Sequence, residues 1–167
     1  MIRHHILQQR ISTPLGEMLA ARSQMGLSGL WFEGQKHHPG ALNLPTAARD
    51  PIFTALENAL QGYFAGATLP AALLEQLDPA GTPFQMEVWR ALLQIESGQS
   101  ESYGSIAKRI GRPQAVRAIG GAVGRNPLSI LIPCHRVLGA NGRLTGYAGG
   151  LDRKLALLQL EAAKATQ

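Results

Sequence analysis

The run Pro133-Cys134-His135-Arg136-Val137 sets a thiol, an imidazole and a guanidinium side by side, directly behind the apolar stretch Ile130-Leu131-Ile132. Cys134 is the only cysteine in 167 residues. A thiol attacks only after losing its proton, and an adjacent histidine is a common activator. A carboxylate that orients the histidine would complete a relay of the Ser-His-Asp kind. Side chains alternate along a strand, so Cys134 and His135 diverge unless the chain turns at Cys134 or a water bridges them. Asn126-Pro127 reads as a turn just upstream, and the Asn126 amide is placed to pin it. The best local carboxylate is Glu161, in the helical stretch Leu151–Ala163; a solvated surface glutamate is the other reading of that residue. Downstream of the cysteine, Asn141-Gly142 signals a tight turn. Thr145-Gly146-Tyr147-Ala148-Gly149-Gly150 then holds three glycines and an alanine, which lets backbone approach a flat ligand; an ordinary flexible loop is the alternative.

The elements that must position these groups follow from periodicity and turn chemistry. Leu7–Ile11, Glu17–Arg22 and Leu27–Phe32 are predicted strands, separated by Thr13-Pro14-Leu15-Gly16 and Gln24-Met25-Gly26, which predicts an antiparallel meander. The apolar stretch before Cys134 also reads as strand-like, and residues 34–49 as loop. Asp50-Pro51 opens a helix with Ile52, Leu56, Leu60 and Phe64 as its core stripe. A Pro- and Ala-rich connector ending in Asp78-Pro79-Ala80-Gly81 separates an N-terminal domain, 1–78, from a C-terminal domain, 82–167. Thr82-Pro83-Phe84-Gln85 has the form of a capping box and starts a helix to about Ile95. The last helix would pack inward through Leu151, Leu155, Leu158 and Ala162.

Residues 103–124 read as two short helices about a turn freed by Gly111, the second running from Pro113 to about Val123 with Val116, Ile119 and Val123 buried. This is the pattern of a helix-turn-helix whose second helix approaches DNA; a plain helical hairpin is the alternative. Ala115, Ala118 and Gly121 give that helix a slim face with little hydrogen-bond information. Such a face favours sequence-independent binding, in the minor groove with Arg117 as a wedge. The charge agrees. Residues 1–81 carry five Lys or Arg against six acids, residues 82–167 eleven against five. Between Ser102 and Leu151 there is no acid, but there are Lys108, Arg109, Arg112, Arg117, Arg125, Arg136 and Arg143. An acid-free basic stretch points to a polyanion, most simply nucleic acid; a merely basic surface is the bland alternative.

Composition sets limits. One cysteine leaves no internal disulfide and no Cys-based zinc site, and fits a reducing compartment. The N-terminal run Met1–Arg10 lacks the apolar core of a secretory signal. No segment approaches the roughly 20 apolar residues of a membrane helix. The expectation is a soluble cytoplasmic protein with no membrane contact.

Pro133-Cys134-His135-Arg136-Val137, with Asn126-Pro127 upstream and Gly146-Tyr147-Ala148-Gly149-Gly150 downstream, resembles the active site of the O6-alkylguanine-DNA alkyltransferases, also called methylated-DNA–protein-cysteine methyltransferases. The resemblance runs clearly from about Thr82 to Glu161 and more loosely over the N-terminal half. It implies an α/β N-terminal domain of ribonuclease-H-like form, with a small antiparallel sheet plus helix, followed by a mainly α C-terminal domain with a helix-turn-helix at about 103–124 and an active-site loop at about 126–150. It implies direct-reversal DNA repair: single-turnover transfer of an alkyl group from O6-alkylguanine, and from O4-alkylthymine, in double-stranded DNA, after the base is flipped out. The implied roles fall residue by residue. Cys134 accepts the alkyl group; His135 takes the thiol proton through a water; Glu161 holds His135; Asn126 orders the turn. Tyr103 donates a proton toward guanine N3 and crowds the phosphate. Arg117 fills the vacated space, with Ala115, Ala118, Gly121 and Arg125 along the DNA. Pro133, Val137, Tyr147, Ala148 and Ser129 belong to the pocket, with carbonyls of Cys134 and Val137 facing the guanine amino group. No cofactor and no metal are implied, and the protein is expected to be a monomer, with cooperative loading along DNA left open.

This sequence departs from some members. Ala148 stands where some have Ser, which removes a hydroxyl to guanine O6, and Ser129 stands where some have Pro. The zinc-binding cysteines of some relatives are missing, so His4-His5 and His37-His38 are expected at the surface rather than on a metal. With no cysteine-rich sensor segment, a stand-alone repair protein is expected. Three other readings stay open: a binding-only relative, disfavoured by the presence of Cys134; a helix-turn-helix transcription factor with an incidental cysteine; and a cysteine hydrolase that turns over.

Overall fold

A computed structural model describes residues 4–166; Met1–Arg3, part of the N-terminal run considered above, lie outside the described residues. The chain forms two compact units. The first gathers the residues up to Ala80 together with Pro127–Leu131; the second comprises Gly81–Asn126 and the chain from Ile132 onward.

In the first unit, β1 (Leu7–Thr13), β2 (Gly16–Arg22) and β3 (Leu27–Phe32) form an antiparallel meander in that order. Thr13 pairs with Gly16 across the first turn, Met18 with Phe32, and the register slips by a bulge at Ala21/Arg22. Both faces of the sheet are covered. Leu19, Ala21 and Trp31 meet Leu42 and Leu44 from the loop after β3, while Met18, Ala20, Leu30 and Phe32 are buried on the other face. Helix α1 (Pro51–Phe64) begins as its sequence demands: the Asp50 carboxylate accepts from the backbone N–H of Ile52 and Phe53, satisfying two of the donors a helix start leaves open. The connector contains one short helix, α2 (Ala71–Leu74).

One expectation for this unit changes. The stretch before Cys134 is not a strand. Leu128 makes a single bridge to Leu30, and the chain then turns with Ile130 at φ 72°, a conformation rare for a β-branched residue. Its apolar side chains are buried, and the ladder bonds go only as far as Pro127 and Ser129, which pair with the Leu30 backbone. Of the four histidines in this unit, His37 is exposed and the other three are partly exposed. His4, His5 and His38 are half-buried, because His5 and His38 set their rings edge-on to Trp31, with centroids at 5.6 and 6.3 Å. His4 pairs with Asp78 at 2.6 Å.

The second unit is helical. Thr82 caps α3 (Pro83–Leu92) in a reciprocal box: its hydroxyl accepts from Gln85 N at 3.2 Å, and Gln85 Oε1 accepts from Thr82 N at 2.9 Å. The Trp89 indole N–H donates to the Ala122 carbonyl at 2.9 Å, joining α3 to α5 (Val116–Gly124). The two-residue strand β4 (Glu101–Ser102) runs into α4 (Tyr103–Arg109) and pairs in parallel with β5 (Val137–Leu138). Gly111, at φ 72°, ends the α4 turn in a left-handed conformation that suits glycine. Helix α5 starts at Val116 rather than Pro113, because residues 112–115 are taken up by a turn that Ala115 N closes on Arg112 O. Val116 is consequently 41% exposed, and Ile119, Ala122 and Val123 form the buried side. Among the described residues no helix is long and apolar enough to cross a membrane.

The last helix, α6 (Leu151–Ala165), corrects the sequence reading most sharply. Leu151 and Leu155 are 46% and 44% exposed. The buried residues are Lys154, Leu157 and Glu161, spaced i, i+3, i+7. Apolar periodicity chose the wrong face because two of the three inward residues are charged and satisfied by partners.

Candidate active site

The chain does turn at Cys134. Cys134–Arg136 forms one 3₁₀ turn, with Cys134 N donating to Ile132 O at 2.8 Å and Arg136 N to Pro133 O at 3.0 Å. The thiol is buried, 5% exposed. Asn126 Nδ2 donates to the Ile132 carbonyl at 2.8 Å and to Cys134 Sγ at 3.1 Å, so one amide holds both the turn and the sulfur. Burial pushes the thiol up; the Asn126 hydrogen bond, the Lys154 charge and the backbone amides of Cys134 and His135 act toward the thiolate.

His135 and Glu161 lie behind the sulfur loop, both fully buried, with Nε2 to Oε1 at 2.8 Å. Burial alone would raise Glu161, but hydrogen bonds and charge from His135 and Arg136 outweigh it and hold the carboxyl well below its usual range. An ionised Glu161 only accepts, so His135 Nε2 carries the ring proton and Nδ1 keeps its lone pair. That Nδ1 is buried without a hydrogen-bond partner among the described residues. Burial draws the imidazole down, Glu161 pulls it up, and the charges of Arg136 and Lys154 push it down again. His135 therefore rests neutral, with its basic atom free.

Arg136, which the sequence offers only as one more cation of the basic stretch and a neighbour of Cys134, turns inward. It grips Glu161 through Nε and Nη2 and donates from Nη1 to the Ile95 carbonyl at 2.5 Å. Lys154 is the residue that no motif marks. It is fully buried, and its ammonium donates to the carbonyls of Val137, Thr145 and Gly146 at 2.5, 2.7 and 3.1 Å. The signal that would have found it is its place two turns before Glu161 on one face of α6.

Tyr103 opens α4, whose N-cap Ser102 accepts from Ser105 N at 3.0 Å. The β4–β5 pairing sets Glu101 opposite Val137 and Ser102 opposite Leu138, which ties the start of α4 to the strand leaving the cysteine loop. The phenol is half-buried; burial and the Cys134 charge raise it, opposed by a hydrogen bond with Thr145. A Cβ on Gly146 would stand 3.8 Å from the Tyr103 hydroxyl, so the glycine-rich loop passes over that group. Tyr147 and Ala148 are half-buried in the same loop, and Pro133 and Val137 are buried. The Val137 carbonyl already accepts from Lys154. Ser129 belongs to the first unit, where its buried hydroxyl donates to Gln35 Oε1 at 3.3 Å. On α5, Arg117 and Ala118 are exposed, as is Arg125 just beyond it, with Ala115 and Gly121 half-buried. The basic stretch is partly neutralised by acids outside it: Arg109 pairs with Glu101, Arg112 with Glu87 and Arg136 with Glu161. Lys108, Arg117, Arg125 and Arg143 remain exposed.

Residues 83–163 match the family model described as 6-O-methylguanine DNA methyltransferase, DNA binding domain. A methylated-DNA–protein-cysteine methyltransferase of Mycobacterium leprae is 43% identical over 152 residues, covering 90% of this chain and 89% of the relative. The chain belongs to the methylated-DNA–protein-cysteine methyltransferase family. An archaeal member from Methanosarcina mazei is 44% identical over 151 residues, 90% of this chain and 94% of its own. Among solved structures, Mycobacterium tuberculosis OGT in complex with DNA superposes with a TM-score of 0.86 at 40% identity, covering 95% of this chain and 94% of that one. The family-matched stretch contains Tyr103, Asn126, the whole cysteine turn, Lys154 and Glu161.

Proposed function

We propose that this protein repairs alkylated DNA by moving the alkyl group of O6-alkylguanine onto Cys134, once per molecule. The activity rests on family membership across nearly the whole chain. The observation that carries the residue assignment is the donor on the nucleophile itself: Asn126 Nδ2 at 3.1 Å from Sγ, within a loop backed by the buried His135–Glu161 pair.

The chemistry follows from that geometry. His135 Nδ1 takes the thiol proton through a water, while Glu161 keeps Nε2–H in place. The sulfur attacks the alkyl carbon in line, an S–C bond forms, the C–O6 bond breaks, and the electron pair leaves on the guanine. The phenol of Tyr103, kept protonated, supplies the proton the departing base needs. A thioether is a poor leaving group, so the alkyl group stays and the protein is spent.

Duplex DNA hides the alkyl carbon, so the base must leave the stack. Helices α4 and α5 act as a helix-turn-helix, with Arg117 filling the space the base leaves and the small residues Ala115, Ala118 and Gly121 allowing close approach. The exposed cations Lys108, Arg117, Arg125 and Arg143 meet the phosphates. Pro133, Val137, Tyr147 and Ala148 line the pocket; the absence of a hydroxyl at Ala148 leaves O6 to a backbone amide. O4-alkylthymine shares the exposed alkyl–oxygen bond and is a second substrate. The three-stranded sheet with α1 corresponds to the family's ribonuclease-H-like N-terminal domain, and the protein acts as a monomer.

Intact-protein mass spectrometry after incubation with duplex DNA carrying one O6-methylguanine tests this. A gain of one methylene, confined to Cys134 and saturating at one per molecule, is expected. Repeated turnover, or no gain despite tight binding, would overturn it. Cys134→Ala should bind the same DNA and gain nothing.

A further inference from the structure

A lysine with no accessible surface is costly to bury, and it is usually accompanied by a carboxylate. Lys154 has none: among the described residues its partners are the carbonyls of Val137, Thr145 and Gly146. An ammonium has three N–H donors, and all three are used on neutral acceptors. The hydrogen bonds are satisfied, but the charge is not balanced by any of them. The carbonyls belong to the strand that leaves the cysteine turn and to the glycine-rich loop, so the ammonium sits against the same loops that frame the sulfur. Its charge acts on the thiol, and the thiol's charge acts on it.

The other charged groups around the sulfur leave the same vacancy in the charge balance. Glu161 is already matched by Arg136 through two hydrogen bonds. His135 has Arg136 and Lys154 both opposing its protonation. Tyr103 is kept neutral, and Asn126 is a neutral donor. With the thiol and imidazole uncharged, Lys154 is the one cation whose charge acts on the sulfur, and no anion answers it there. Ionising Cys134 supplies that anion; moving the proton permanently onto His135 adds a further cation beside it.

We propose that Lys154 is the counter-ion of the Cys134 thiolate, so that the reactive state pairs sulfur anion with a lysine ammonium while His135 serves as a neutral conduit for the proton. Lys154 is a positioning residue: it touches neither the alkyl group nor the base, and it acts through the sulfur and through the three carbonyls it holds. Tyr103 gives its phenolic proton to the departing guanine, and the thiol proton, taken up at Nδ1 of His135 and passed on through water, restores the phenol; Lys154 keeps its proton throughout. Alkylation converts the anion to a neutral thioether and removes the charge that favoured the ammonium.

This inference rests on the reading of Cys134 as the nucleophile, yet its test needs no DNA and no alkyl donor. Thiolate absorbance is titrated in the wild type, Lys154→Gln and Lys154→Arg, each corrected with the matching Cys134→Ser protein to remove tyrosine. Lys154→Gln should hold about tenfold less thiolate at a given pH below its midpoint, a shift of about one unit, and Lys154→Arg should stay near wild type. An unshifted midpoint in Lys154→Gln, accompanied only by a uniform loss of transfer at every pH, would overturn the proposal and leave Lys154 a structural prop. Should Lys154→Gln not fold, carbon-13 NMR of the lysine side chains in wild type and Cys134→Ala gives the reciprocal measurement. Because the coupling is mutual, the Lys154 midpoint, which burial draws to about 8 against the pull of Cys134, should fall when the thiol is removed. An equal midpoint in both proteins would overturn the pairing. Failure of alkyl transfer with the titration shifts intact would instead count against the repair reading alone.

Discussion

Arg136 and Glu161 are joined by two parallel contacts of 2.9 Å, Nε to Oε2 and Nη2 to Oε1, with both side chains buried. The same Oε1 accepts from His135. The carboxylate that orients the buried imidazole is thus anchored by a fixed guanidinium fork. The fork in turn is held by the Ile95 carbonyl at the end of the chain segment following α3. Orientation of the base and stability of the unit are therefore carried by one cluster.

Glu161→Gln should cost stability as well as activity. It strands the Arg136 charge in a buried site, a loss of about 3–5 kcal/mol for breaking such a pair. Chemical denaturation of the folded protein reads this directly. A loss no larger than that of a surface substitution would show the pair to be dispensable.

Acid should act through the same carboxylate. Glu161 sits below its ordinary value of 4.5 in the folded protein, so the unfolded chain binds the proton more readily. Its stabilising contribution is present above that ordinary value and is lost as the pH falls toward the folded one. Between neutral pH and about pH 3, wild type should lose stability more steeply than Glu161→Gln. Parallel curves for the two proteins would contradict the assignment.

Asn126→Ala removes a donor from the sulfur and from the buried Ile132 carbonyl. The unpaired carbonyl should cost about 1–3 kcal/mol. The thiol, already raised by burial, should rise further, so transfer slows at neutral pH and recovers in part at higher pH. A rate deficit that is the same at every pH would point to misplacement of the loop instead.

Tyr103→Phe keeps the ring and removes the proton donor. Loss of a positioned acid typically costs about 10²- to 10⁴-fold in rate. Single-turnover transfer to Cys134 should fall by an amount in that range while DNA affinity changes little. Wild-type kinetics would remove Tyr103 from the reaction.

Arg117→Ala removes an exposed side chain from the start of α5. Transfer from duplex DNA should slow more than transfer from single-stranded DNA, where no stack has to be refilled. Bulk affinity should lose only one phosphate-sized contribution, about 0.9 from the logarithmic salt slope. Equal slowing on both substrates would exclude the role in base extrusion.

The sequence alone specified the meander, α1, α3 and the paired helices α4 and α5, because each is encoded locally. Strand punctuation, the Asp50 cap, the Thr82–Gln85 box and Gly111 all act within a few residues of themselves. It also singled out the cysteine, histidine and asparagine, since their types and neighbours declare the chemistry. Tertiary structure decided what depends on distant partners. The inward face of α6 is Lys154, Leu157 and Glu161, and a pattern of apolar residues passes over it because burial of charge is permitted only by Arg136, His135 and three carbonyls brought from elsewhere in the chain. The apolar stretch before Cys134 became a turn with Ile130 left-handed rather than a strand, because its partner is the single backbone position Leu30 and not a full edge. Local chemistry names the nucleophile; the charges that govern its proton are set by packing, which no short window of sequence contains.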